Sequence, residues 1–247
     1  MYIKTNGLVL RETPYKESSR ILTVLTSTEG KITVNARGAK RKNSKTAAST
    51  QFLSFSEMTL FHDRGRYTLT EARSIELFEG LRDDLKVMAL AAYIAELLEA
   101  VSDEDLPEPE ILSLGLNSLY VLSEGKKTAE EVKAVFETRL MCLAGYEPML
   151  SHCAVCGRED IVSPVLSLAG GVVTCRTCRE GADEAAMALT DGALAAMRYI
   201  AGAEGKKLFS FTMSDETLKR LSRISEAYTE TQLGRSFAAL SYYHAVV

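Results

Sequence analysis

The sequence predicts an α+β chain: an N-terminal β-barrel of OB-fold type, then a mainly α-helical domain containing a four-cysteine zinc finger. Three observations predict this class. Residues 1–80 divide into five short runs rich in Val, Ile, Leu, Thr and aromatics. From Leu81 onward apolar residues recur at spacings of three and four. Two CxxC pairs, separated by eighteen residues, interrupt the helical series. The expected division is therefore 1–80 for the barrel and 81–247 for the helical domain, with a zinc-binding segment at 150–180.

Strands are expected at Tyr2–Arg11, Arg20–Thr26, Lys31–Arg37, Phe52–His62 and Arg66–Ala72. Turn-prone groups separate several of them: Thr13-Pro14, Ser27-Thr28-Glu29-Gly30 and Asp63-Arg64-Gly65. Ile32 and Val34 alternate with Lys31, Thr33 and Asn35, the pattern of a half-buried strand. Five short strands in so few residues suit a small closed sheet, of which the OB barrel is one form. An SH3-like barrel would satisfy the same periodicity.

Leu81, Leu85, Met88, Ala92 and Ala95 set the stripe of a first helix. The acidic, proline-containing stretch Asp103–Glu110 breaks it. A second helix is expected over about 108–123, ended by Gly125. Thr128-Ala-Glu-Glu131 reads as a capping box opening a third. Val132, Val135, Phe136, Arg139, Leu140 and Leu143 line one side of that helix, and Gly145 supplies its C′ glycine. Further helices are expected over 189–203, 214–231 and 235–244.

The chain has 247 residues, is 46% hydrophobic and 25% charged, and has a net charge of −4. These values describe a folded globular protein. Met1–Leu10 lacks the apolar core of a signal peptide. The longest apolar run, Val87–Val101, carries Glu96 and Glu99 and is too short to span a bilayer. A cytoplasmic location is expected, where thiols stay reduced. The charge is unevenly placed. Residues 1–80 hold 13 Lys/Arg against 8 Asp/Glu, whereas residues 81–247 hold 16 against 25. Opposite balances suggest two jobs.

Cys153-Ala-Val-Cys156 and Cys175-Arg-Thr-Cys178 have the spacing of a tetrathiolate zinc site. Each pair aims two thiolates from one tight turn, and two turns complete a tetrahedron. Gly157 follows the first pair, where a knuckle needs a backbone without Cβ. Val165–Val173 reads as a hairpin returning the second pair to the first. Two disulfides or a redox CxxC are the competing readings, and a reducing compartment disfavours the first. The fifth cysteine, Cys142, reads as a small residue in the core of a helix.

Arg37-Gly-Ala-Lys-Arg-Lys-Asn-Ser-Lys45 contains five cations and no carboxylate. Arg37, Lys40, Arg41, Lys42 and Lys45 are the candidate nucleic-acid contacts, because a loop between barrel strands is a usual place for them. Phosphate neutralisation by such a loop is independent of sequence. Lys31, Arg64 and Arg66 would widen the patch, and Tyr15 and Phe52 would stack on bases. A solvated charge run and core aromatics are the competing readings. Arg176, Arg179, Lys206 and Lys207 are weaker candidates for a second site. The loop is not a P-loop, since Lys42-Asn43-Ser44 lacks the preceding glycine.

Nothing points to catalysis. His62, His152 and His244 fall in different regions, and no G-x-S-x-G, H-E-x-x-H or dinucleotide loop occurs. Four thiolates also close the coordination sphere that a catalytic zinc keeps open. A structural zinc is expected, with His152 as a neighbour rather than a ligand.

Taken in order, these residues resemble the bacterial recombination mediator family RecO. The N-terminal part matches in Glu17-Ser-Ser-Arg-Ile-Leu22, Thr26, Gly30 and Ala36-Arg-Gly-Ala-Lys40 continuing to Ser44. The middle matches in Phe136-Glu-Thr-Arg-Leu140, Gly145-Tyr146, Pro148 and Leu150, leading into Cys153-Ala-Val-Cys156-Gly157. Tyr228 and Leu233-Gly-Arg235 match near the end. The resemblance implies an OB-fold, a helical domain and, with all four cysteines present, a structural Zn2+ site. It further implies binding of single- and double-stranded DNA and annealing of complementary strands. The implied partners are RecR and the C-terminal tail of single-stranded DNA-binding protein, with a functional link to RecA, at the nucleoid. Arg37, Lys40 and Arg41 are the DNA contacts that it carries over. Without it, a zinc-ribbon RNA-binding accessory protein of transcription or translation and a zinc-dependent nucleic-acid enzyme remain open.

Overall fold

The computed structural model describes residues 1–179, 185–203 and 205–246, except the side chain of Lys206. Glu180, the last residue of the expected zinc segment, lies outside them. By contacts the chain divides into two units, residues 1–125 with 239–247, and residues 126–238.

The first unit is built on a closed five-stranded barrel. Its strands are β1 (Tyr2–Tyr15), β2 (Ser19–Thr26), β3 (Lys31–Ala36), β4 (Phe55–Asp63) and β5 (Arg66–Glu76). They close in the order β1-β2-β3-β5-β4, antiparallel except for the parallel pair β3–β5. This is the OB-type Greek-key arrangement, which the strand periodicity alone does not distinguish from other small barrels. Alternation along the strands sends Val9, Leu22, Val24, Ile32, Val34, Met58 and Leu60 inward, where they form one core.

The turn expected at Thr13-Pro14 does not occur. β1 runs on to Tyr15, with Pro14 opposite Arg20 on β2. Beyond Leu8, β1 has no partner in β4, so one side of it is an edge that tolerates a residue without an N–H. The reversal falls instead at residues 16–18, where Lys16 takes a positive φ of 52°.

Helices α1 (Leu85–Val101) and α2 (Pro109–Ser123) follow the barrel in this unit. Asp84 caps α1 by accepting from the N–H groups of Lys86 and Val87. The acidic stretch between the helices lies along the start of β3: Lys31 N–H donates to the Asp103 carbonyl, and Asp105 N–H to the Lys31 carbonyl.

The second unit carries α3 (Ala129–Leu143), a small sheet of β6 (Pro164–Ser167), β7 (Val172–Cys175) and β8 (Ala186–Ala188), then α4 (Asp191–Gly202) and α5 (Asp215–Leu233). The last helix, α6 (Ala238–Val246), belongs from Ala239 onward to the first unit, where Ala239 N–H donates to Glu96 of α1. Thr128 Oγ1 caps α3 through Glu131 N–H. The Glu131 carboxylate pairs with Lys127 at 2.8 Å, so only half of the expected capping box forms. α3 closes with the Gly145 and Tyr146 N–H groups bonded to the Cys142 and Met141 carbonyls, Gly145 having φ +87°. That Schellman closure is what the glycine permits.

The apolar stripe expected on α3 is more polar than the sequence suggests. Arg139 is half-buried and donates to the Ala201 carbonyl in the last turn of α4. Lys133 and Glu137, one turn apart, are almost fully buried and bonded at 3.1 Å. Glu226 of α5 reaches Lys133 at 2.7 Å, and Ser225 Oγ donates to Glu137 at 2.6 Å. Burial by itself lowers the Lys133 pKa, but the carboxylates of Glu137 and Glu226 outweigh it and hold it above the ordinary lysine value.

Candidate nucleic-acid interface and metal centre

The loop after β3 is a chain of tight turns, not a slack tether. Ala39 is fully buried in the barrel core, pinning the loop at its third residue. Lys40 N–H donates to the Ser18 carbonyl at 2.9 Å and Gly38 N–H to Ser19 Oγ at 3.3 Å. Arg41 N–H returns to the Gly38 carbonyl, and Ser44 N–H to that of Arg41. Farther on, Arg20 Nη1 donates to the Ala47 carbonyl and Thr50 Oγ1. Arg20 thus braces the loop with its charge turned inward.

Arg37, Lys40, Arg41, Lys42 and Lys45 all remain exposed. Among the described residues none of the five side chains makes an ion pair or hydrogen bond. The bonds to Ser18 and Ser19 set the β1–β2 turn beside the loop. Its tip carries exposed Lys16 and Tyr15, with Lys16 Nζ 5.3 Å from the ring centroid. Sequence reasoning passed over Lys16; its signal was its place after Tyr15 in a short turn.

The other candidates sit elsewhere. Lys31 Nζ donates to the Glu99 carbonyl at 2.8 Å and so caps the end of α1. Arg64 lies in the β4–β5 turn and Arg66 opens β5, where the parallel register that sets Tyr67 opposite Val34 puts Arg66 level with Thr33. About four residues of strand, roughly 13 Å, separate that level from the loop. Phe52 is half-buried, whereas Tyr15 is 44% exposed. Arg176 and Arg179 flank Cys178 in the second unit, and Lys207 lies on a separate turn.

The four cysteines do converge. Cys153, Cys156, Cys175 and Cys178 place their sulfurs within 4.8 Å of one another. A tetrahedron with metal–sulfur bonds of about 2.3 Å has vertices roughly 3.8 Å apart, so the cluster is compatible with a metal site. The first knuckle closes through Gly157 N–H on the Cys153 carbonyl, with Gly157 at φ +71°. Ala154 N–H ties the knuckle to the Val173 carbonyl of β7. β6 and β7 form the expected hairpin, with Leu166 opposite Val173 and Pro164 opposite Cys175. β7 delivers Cys175, and a 3-10 turn over Arg176–Cys178 delivers Cys178.

Side chains of α4 and α5 hold this segment in place. Arg198 donates to the Leu150 and Ser151 carbonyls, and Gln232 to those of Leu168 and Ala169. The Cys156 N–H, joined by those of Cys175 and Val155, holds the Cys153 thiol down to about 6. Cys178 is raised to about 11, first by its hydrogen bond to Cys156 and also by the charge of neighbouring thiolates. Four thiolates cannot ionise together at this separation unless a cation joins them, which is the chemistry of a metal-binding donor set.

His152 is not part of the cluster; its Nδ1 faces Ser151 Oγ at 2.9 Å. His62 stacks on Tyr67, and His244 lies against Tyr243. Cys142 is half-buried and donates to the Thr138 carbonyl, with burial raising its thiol to about 11. Among the described residues no helix is long and apolar enough to cross a membrane.

Comparison with known proteins agrees with this architecture. Residues 1–78 match the family model described as Recombination protein O N terminal, and residues 82–241 match Recombination protein O C terminal. The chain belongs to the RecO family. It is 34% identical over 241 residues to the DNA repair protein RecO of Acetivibrio thermocellus, covering 98% of this chain and 96% of that one. The DNA repair protein RecO of Caldicellulosiruptor bescii is 30% identical over 244 residues, covering 99% and 98%. That of Symbiobacterium thermophilum is 32% identical over 230 residues, covering 90% and 89%. A RecO-family chain thus presents a basic loop on its barrel and a four-cysteine cluster in its helical part.

Proposed function

We propose that this chain is a non-enzymatic DNA repair and recombination mediator that binds DNA through its barrel. The observation that carries the reading is the set of five exposed, unneutralised cations on a loop pinned by Ala39 and braced against the β1–β2 turn. A rigid array of this kind meets successive phosphates without reading bases. Arg37, Lys40, Arg41, Lys42 and Lys45 hold phosphates of single- or double-stranded DNA, with Lys16 beside them. Two strands repel each other less once their phosphates are neutralised, so annealing of complementary strands is favoured. In this reading the chain acts with RecR, recognises single-stranded DNA-binding protein and helps load RecA onto the strands that protein covers. These partners rest on the family resemblance.

Zn2+ is the ion that four thiolates with this spacing best suit. Bound by Cys153, Cys156, Cys175 and Cys178, it would supply local folding energy and no open position for a substrate. The separation of the three histidines supports the same non-catalytic role.

Annealing tests the proposal. Complementary strands coated with single-stranded DNA-binding protein should pair faster when the chain is added at low salt. An unchanged rate would reject the mediator reading.

A further inference from the structure

We infer that the first unit carries a docking cleft for a cationic, apolar peptide segment of a partner protein, on a surface distinct from the basic loop. The cleft has a volume of about 590 Å³ and is lined by residues 74–80 and by Tyr120, Ser123 and Glu124 at the end of α2. Two large apolar side chains stand open on it, Ile75 at 51% and Tyr120 at 42% exposure. Glu76 and Glu79, with Glu124, line it beside them, and among the described residues no lysine or arginine belongs to the lining; Arg82 is engaged by the Leu77 and Phe52 carbonyls. The C-terminal turn of α2 adds the negative end of a helix dipole. The field therefore favours lysine or arginine, and the apolar pair favours a segment that also brings leucine or an aromatic. Nucleic acid would be repelled.

The cleft wall is built rather than incidental. Phe78 holds a left-handed backbone, φ +47° and ψ +53°, unusual for a bulky residue. Glu76 Oε1 sustains it by accepting from the N–H groups of Leu77 and Phe78 at 2.8 and 2.9 Å. A Cβ on Gly80 would lie 2.1 Å from the Ser123 carbonyl oxygen, so the two walls meet as closely as backbone allows.

The test uses the full chain and a synthetic peptide in which Lys-Leu-Lys-Phe-Lys is the central segment, with its lysine-to-glutamate version as control. Amide resonances are followed by NMR. The expected result is shifts confined to Ile75–Gly80 and Tyr120–Glu124, with the glutamate peptide silent. Glu79→Lys should weaken peptide binding about fivefold, a rim-charge effect, and Ile75→Ser should weaken it further. Both positions are exposed, so both variants fold. DNA affinity is measured alongside and should persist in Ile75→Ser, which separates this cleft from the loop. No shift at millimolar peptide, shifts elsewhere on the chain, or equal binding of the control peptide would overturn the inference.

Discussion

Replacing Lys40, Arg41 and Lys42 together by glutamine should flatten the salt dependence of DNA binding without unfolding the barrel. These side chains are exposed and unpaired, while their backbone bonds to Ser18 and Gly38 do not need the side-chain charge. If each cation meets one phosphate of a single strand, the variant releases three fewer condensed counterions. At about 0.7 per phosphate, the slope of log K against log salt becomes shallower by about 2. Carried from 1 M to about 0.15 M salt, that difference is roughly fiftyfold in affinity. Fluorescence anisotropy of a labelled thymidine oligonucleotide across a salt series reads both quantities. A variant that melts normally yet keeps the original slope would refute the placement of phosphates on this loop.

Two further outcomes concern the second unit. Cys153→Ala removes the sulfur that accepts backbone N–H groups from both knuckles. Metal analysis should find about one zinc per chain in the parent and a large loss in the variant, with a lower melting temperature and unchanged oligonucleotide affinity. Lys133→Met leaves Glu137 buried without its cation, and chemical denaturation should report a loss of about 3–5 kcal/mol. The double variant Lys133→Met, Glu137→Leu should recover much of it. Lys133 has a folded pKa above its ordinary 10.5. Its contribution is therefore full below pH 10.5 and fades only as pH rises through the folded value. Parent and Lys133→Met should accordingly differ by the same amount at pH 7 and pH 9.

The strand alternation of Ile32 and Val34, the stripe of α1 and the spacing of the cysteines were all legible, because each is a local pattern. The reversal after Tyr15 was not, since Thr13-Pro14 looks like a turn until β4 is seen to leave β1 after Leu8. Lys133 and Glu137 form an ordinary i, i+4 pair, and nothing local in the sequence marks them as buried. Their burial depends on α5, which supplies Glu226 and Ser225 from about ninety residues away. Lys31 looked free for DNA for the same reason: its partner, the Glu99 carbonyl, is a backbone group on a helix that folds back against β3. Composition locates the basic loop, but the bonds that make it rigid, from Ser18, Ser19 and Arg20, belong to another strand pair.

The most direct measurement is a crosslink map. Irradiating the full chain bound to a thymidine oligonucleotide and identifying the modified peptides by mass spectrometry should place crosslinks on the Tyr15–Lys16 turn and the Arg37–Lys45 loop. Crosslinks confined to the Arg176–Arg179 turn or the neighbourhood of Lys207 would move the DNA site to the helical part and contradict the role assigned to the barrel.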